Sequence, residues 1–337
     1  MCPLRLIPKL FLFDEDELPA ALRAQRPLNR SRVPEIARYM IDNPSEYVFS
    51  SITASVDGDV GFDPVVPDSN LGNLVISMAA KFIINDGQHR RAAIESAICD
   101  KPELGDETIS VVLFEDGGLR RSQQMFADLN QHAIRPTTGI NILYDVRSPL
   151  AQLARSLVEG VQVFRNLTET ERSSISHRSV KLFTLSSIHQ GTKALLSKGK
   201  VDTVSSSEAR LALDYWNAVA EQIPEWKLAS QKKAVPAELR REYVHSHGIA
   251  LHSLGLMGAA LVKQEPNDWR EKVAGLSSVD WSRTNTDLWE GRALVGGRIS
   301  KANNNVLLTS SFLKTTLGLK LNKEESRLED SLRVARR

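Results

Sequence analysis

Apolar residues recur along this chain in two rhythms, and the change between them falls near residue 145. Leu4 to Phe13 reads as a strand, with Pro8 at an edge or bulge. Asp14 then offers an N-cap to a helix reaching about Arg26. Between Asn29 and Asn43 the residues Val33, Ile36, Ala37, Met40 and Ile41 share one helical face, which Asn43-Pro44 ends. Tyr47 to Val56 is strand-like, and Asp57-Gly58 supplies a hairpin turn. Asn73 to Ser77 and Lys81 to Ile84 give two short β segments, followed by Asn85-Asp86-Gly87 and a helix to about Ile98. Ile109 to Phe114 is a buried strand closed by Asp116-Gly117-Gly118, with a helix running on through Asn130.

From Ser148-Pro149, a good N-cap followed by a good first helical residue, the spacing becomes helical. Leu150, Leu153, Ala154, Leu157, Val158 and Val161 form a stripe. Ser207 to Ile223, Ala237 to Lys263 and Val306 to Leu317 repeat that character. The expected class is α+β, with an α/β domain over residues 1–145 and a mostly α-helical domain over 146–337.

Composition narrows the picture only a little. A chain of 337 residues with 42% hydrophobic and 25% charged positions is a folded protein of about two domains. The net charge of +2, from 43 basic and 41 acidic residues, neither requires nor excludes nucleic acid, so local distribution must decide. Cys2 and Cys99 are too few for a disulfide framework or a multi-cysteine zinc site, and such low usage fits a reducing cytosol. No apolar run reaches the roughly 20 residues of a membrane span, and the opening segment lacks a signal-peptide layout. The chain reads as cytoplasmic, with no membrane partner.

The chemistry concentrates in Phe82-Ile83-Ile84-Asn85-Asp86-Gly87-Gln88-His89-Arg90-Arg91-Ala92-Ala93-Ile94. A short buried strand, a tight turn and a helix start bring free amides and the positive helix end to one point. Gly87 allows close backbone approach, Arg90 or Arg91 can grip a phosphate, and Gln88 and His89 add hydrogen-bonding side chains. The plainer alternative is a strand–turn–helix with arginines on a solvated face. The unbroken Asp86-Gly87-Gln88-His89-Arg90 run favours the functional reading.

That pentapeptide resembles the signature of the DndB proteins of bacterial DNA sulfur (phosphorothioate) modification, and the strand–Gly–helix layout resembles the ParB/sulfiredoxin-type nucleotide cradle. The pentapeptide alone is shared with a wider DGQHR group. Other stretches look like the same family: Leu28 to Tyr39, Ser50 to Ser55, Phe126 to Ala133, Trp281-Ser282-Arg283 and Trp289-Glu290-Gly291-Arg292. Family members carry a segment ahead of the first strand, which this chain enters almost at Met1.

The resemblance implies a DNA-binding regulatory or accessory protein that binds the promoter of the modification genes and restrains them. DNA and other proteins of the modification system are its expected partners. A second possibility is a nucleoside-triphosphate hydrolase binding a nucleotide with magnesium, in which Asp86 and a loop residue such as Asn130 would place metal and water. A third is a scaffold that docks other members of the system through its helical half.

Two further segments carry candidate contacts. Asn130-Gln131-His132-Ala133-Ile134-Arg135-Pro136-Thr137-Thr138 combines amide, imidazole, guanidinium and hydroxyl groups, and could close over a phosphate held at Gly87. It equally reads as a helix end with a polar exit loop and Thr138 as the next cap. Arg292 to Lys323 holds six basic residues and no acidic one. Arg292, Arg298, Lys301, Asn303 and Lys314 are its DNA-contact candidates, against the plainer reading of a solvated loop and helix. His177 to Lys193 has a faint helix-turn-helix character without the turn glycine that would define one. His245, His247 and His252 lack partners at standard metal-ligand spacing, so no metal is expected there. The five tryptophans, Trp216, Trp226, Trp269, Trp281 and Trp289, read as core.

Overall fold

The computed structural model describes residues 1–11, 28–115, 121, 124–125, 128–129, 136–199 and 203–336. The chain is α+β and divides into two compact units, Met1–Ile134 and Arg135–Arg337. The helix expected from Asp14 to Arg26 lies outside the described residues.

The first unit is built on a three-stranded sheet. Ile52–Asp57 is its central strand, antiparallel to Lys81–Asp86 and parallel to Val111–Glu115. Ile52, Ala54, Ile84 and Ile109 form a core with Ala37 and Met40 from the Val33–Asp42 helix and Ala93, Ile94 and Ala97 from the Gln88–Asp100 helix. Covering both sides of its central strand buries Ile52 to Val56 without the alternation of a half-exposed strand.

Three expectations need correcting in this unit. The strand expected to be buried from Ile109 to Phe114 is interrupted at Ser110, and its Val111–Glu115 part, at the edge of the sheet, leaves Val112 and Phe114 exposed. Only Cys2–Pro3 of the opening segment is extended, and Leu4–Leu6 and Ile7–Leu10 are helical turns. Leu4, Ile7 and Phe11 are buried at spacings of three and four, a helical period, and Pro8 sits in a first helical turn where its missing N–H costs nothing. Asp57-Gly58 is a corner rather than a hairpin. The strand after it, Val60–Pro64, pairs with Gly72–Ile76 in a separate ribbon, and the partner of Ile52–Asp57 arrives only after that excursion.

The second unit is mostly helical, with two short two-stranded ribbons. Ser148 caps the Pro149–Gly160 helix by accepting from the Ala151 amide, and Leu150, Leu153, Leu157 and Val161 are buried. At the centre runs Gly248–Gln264, apolar on most sides and therefore buried between Leu185–Leu195 and Asn303–Thr316. All five tryptophans belong to the core of this unit.

The continuous helix expected from Ala237 to Lys263 is broken. Pro236–Glu242 stops at Tyr243, Val244–Ser246 forms one tight turn, and Gly248 starts the long helix anew. Tyr243 bridges Ser282, and the Val244 amide donates to the Trp281 carbonyl at 2.9 Å, so backbone groups that would continue the helix bond elsewhere. No helix among the described residues is long and apolar enough to cross a membrane.

Candidate functional site

A bulge prepares the turn at Gly87. Thr53 pairs with Asp86 and Ala54 with Ile84, which leaves Asn85 as the extra residue on its strand. Bulges of this kind re-aim side chains. Here Asn85 is fully buried and donates to Ser55 Oγ at 2.7 Å. Gly87 follows at φ +111°, a left-handed conformation open to glycine and strained for other residues. The Gln88–Asp100 helix starts there with no side chain capping it.

The two arginines after the glycine do different work. Arg91 turns to the opening helical segment, donating to the carbonyls of Phe11 (2.9 Å) and Pro8 (3.1 Å) and pairing with Glu95. Arg90 stays at the turn. Its Nη2 donates to Asp86 Oδ2 at 2.9 Å and to the Ser51 carbonyl at 3.1 Å, and its buried Nε has no hydrogen-bond partner among the described residues.

Arg90 also lines a cleft of about 490 Å³, whose other walls include Arg32, Glu35, Tyr39 and Ser50. The segment carrying Arg32 is fixed locally. Asn29 accepts from Ser31 to cap a turn over Arg30–Arg32, and the Asn29 amide donates to His89 Nε2 at 3.0 Å. Leu28 to Tyr39, Ser50 to Ser55 and the Asp86 to Arg90 run, far apart in sequence, thus meet around one guanidinium. Gln88 is buried and His89 accepts a backbone bond, so these two shape the turn rather than face the cleft.

Among the second-segment candidates, Asn130, Gln131, His132 and Arg135 lie outside the described residues. Thr137 caps the Thr138–Tyr144 helix, accepting from the Ile140 amide at 3.2 Å and donating to the Glu171 carbonyl. The cap is Thr137 rather than Thr138.

The basic stretch divides. Arg298, Lys301 and Asn303 are exposed, and Lys301 also lines a cavity. Arg292 and Lys314, both expected to contact DNA, are instead buried against Glu329 and Glu325. The run lacks acidic residues only in sequence, because the Lys323–Ala335 helix folds back and supplies them. Of the three histidines, His245 accepts from Trp226 Nε1, His247 donates to the Arg240 carbonyl, and His252 bonds Gln190. Among the described residues no group of three His, Cys, Asp or Glu is placed to hold a metal ion.

Sequence reading missed one gathering of charge. Arg240, Arg241 and His247 line the same cavity as Arg283 and Lys301. The adjacent Arg240-Arg241 pair just before a helix break was the available signal.

A family model described as DndB, DNA-sulfur modification-associated, matches residues 1–320. The chain belongs to this family. Membership ties it to DNA sulfur modification. The family match spans both units, so the turn at Gly87 and the helical part belong to one family architecture. No curated protein and no solved structure matches the chain.

Proposed function

We propose that this chain is a DNA-binding regulatory or accessory protein of DNA sulfur modification that represses the modification genes, and that Arg90 and Arg32 contact backbone phosphate. The observation that carries this reading is the convergence of three distant segments on the Arg90 guanidinium. Its Nη2 edge is held by Asp86 and Ser51, which fixes the guanidinium at a cleft that also carries Arg32. A fixed guanidinium fork beside a second arginine suits phosphate, with Glu35 as the opposing charge in the same cleft. Arg298 and Asn303, both exposed, are the remaining contact candidates in the helical unit.

Asp86 is the carboxylate that a hydrolase would need for metal, and it is ion-paired to Arg90. No observation favours hydrolysis over binding. The test has two arms. Anisotropy with a promoter fragment of the modification genes should show binding that weakens steeply with salt and is reduced in Arg32→Ala and Arg90→Ala. Removing the chain from a cell should raise transcripts of the modification genes. Unchanged transcripts would remove the repressor role, and salt-insensitive or absent DNA binding would remove the reading entirely.

A further inference from the structure

We propose that the helical unit holds an anion site of its own, for a small phosphorylated ligand of mononucleotide size, in the cavity where the Gly248–Gln264 helix begins. This inference does not rest on the Gly87 turn. The cavity measures about 690 Å³, within the usual range for small-molecule sites. Arg240, Arg241, Arg283 and Lys301 line it, and Glu238 is the acidic residue among its walls.

Arg240 and Arg283 are held by backbone carbonyls, which leave their charges uncompensated. Arg240 donates to the carbonyls of Ser176 (3.0 Å), His177 (3.2 Å) and Ser179 (3.0 Å), which fixes that loop as one wall. Arg283 donates to the carbonyls of Arg241 (3.2 Å) and Gly297 (2.9 Å). Arg241 pairs with Glu242 only in an exposed, screened contact. Lys301 has neither a hydrogen-bond nor an ion-pair partner among the described residues. Its side chain is exposed overall, but crowding around it lowers the pKa of its ammonium, so an incoming anion would meet an unpaired charge.

The backbone converges on the same point. A Cβ on Gly248 would lie 2.5 Å from Ser187 Oγ and 3.0 Å from Lys301 Nζ. The glycine therefore lets the Ser187 hydroxyl and the Lys301 ammonium pack directly against the first turn of a 17-residue helix, beside the cavity that all three line. Ser187 belongs to the first turn of another helix, Leu185–Leu195, and both helix starts carry partial positive charge. Burial first, then the nearby Arg283 and Lys301 charges, pull the pKa of His247 down to about 4. Leu182, Phe183, Val235 and Leu251 supply an apolar part of the wall, which suits a ligand with a non-phosphate body better than a bare ion. The enclosing walls suit a free small molecule better than the backbone of a duplex.

Calorimetric titration of the full chain with inorganic phosphate, AMP and a short duplex DNA distinguishes the sources of phosphate. Phosphate and AMP should both bind, AMP more tightly. Lys301→Gln and Arg283→Gln should each weaken AMP at least tenfold, while Lys301→Arg and the exposed control Lys227→Gln retain it. Lys301 has no partner to lose among the described residues, so its variant should melt with the parent, and it keeps the test valid if Arg283→Gln fails to fold. The proposal is overturned if neither phosphate nor AMP binds at millimolar concentration, or if Lys301→Gln binds AMP as the parent does. It is also overturned if the substitutions weaken duplex DNA alone, which would make the cavity wall part of a DNA surface.

Discussion

Arg292 grips Glu329 through two hydrogen bonds, 2.5 and 2.9 Å long, and the paired side chains are only 11% and 8% exposed. The same guanidinium donates to the Leu308 carbonyl and lies over the ring of Phe312. An arginine at the head of a run without acidic residues thus joins three segments of the helical unit. Removing one partner of such a pair strands a buried charge, whereas removing both does not. Glu329→Ala should therefore cost about 3–5 kcal/mol in denaturant unfolding, and Arg292→Met with Glu329→Leu should recover most of it. A loss below about 1 kcal/mol for the single variant would place the pair with exposed ones instead.

Gly87 is constrained by both conformation and space. Its φ of +111° disfavours any side chain, and a Cβ would lie 3.1 Å from both Arg90 Nη2 and Ile52 Cγ1. Gly87→Ala should lose about 1–3 kcal/mol of stability. It should also shift the guanidinium that Asp86 and Ser51 hold, so DNA affinity should fall beyond what unfolding explains. An alanine variant as stable and as tight-binding as the parent would show that the turn tolerates a side chain.

The Gly87 turn was legible because every part of it is local: a strand, a glycine and a helix start within thirteen residues. The division of labour between Arg90 and Arg91 was not, because the acceptors for Arg91, the carbonyls of Pro8 and Phe11, lie about 80 residues away. The buried stripe from Leu150 to Val161 was legible from its period, as were the core tryptophans from their bulk. Leu4, Ile7 and Phe11 carried a helical period too, but a short apolar run fits either structure when read for β character. The break at Tyr243 has no helix-breaking residue to mark it, since its cause is a backbone bond to Trp281. The fates of Arg292 and Lys314 depended on a helix that begins at Lys323, the last residue of the basic run, and carries its acidic residues beyond it.

Acid should destabilise the helical unit. His247 stays neutral in the folded protein down to about pH 4, whereas an unfolded histidine takes up a proton near 6.5. Between those values the unfolded chain binds more protons, so stability is fully present above about pH 6.5 and falls as pH drops toward 4. The limit is roughly 3 kcal/mol for this group. His245, lowered mainly by burial, acts in the same direction. Glu225, held below its ordinary value chiefly by its contact with His245, contributes stability that is lost in more acidic solution. Urea midpoints at pH 7.5, 6 and 5 should decline in the parent. His247→Gln, which can still donate to the Arg240 carbonyl, should decline less. A flat parent profile would mean His247 is not held neutral.

Arg90 and Arg91 are adjacent, identical in chemistry and given opposite tasks by their acceptors. Arg91 is tied to two backbone carbonyls and to Glu95, with a side chain 11% exposed. Its loss leaves buried carbonyls without a charged donor. Arg91→Ala should lower stability by roughly 1.5–3 kcal/mol while sparing the DNA affinity of the folded fraction. Arg90 instead lines a cleft that also carries Arg32, its guanidinium fixed by Asp86 and Ser51. Arg90→Ala should weaken DNA by roughly ten- to a hundredfold and make the salt dependence shallower by about one unit, the signature of one lost phosphate contact. Melting curves and salt-dependent anisotropy on both variants separate the two roles, because each should change one measurement much more than the other. If Arg90→Ala lowers the melting temperature and leaves affinity and salt slope intact, its contacts with Asp86 and Ser51 are the whole of its role. The Asp86 to Arg90 run would then specify a turn and not a phosphate contact.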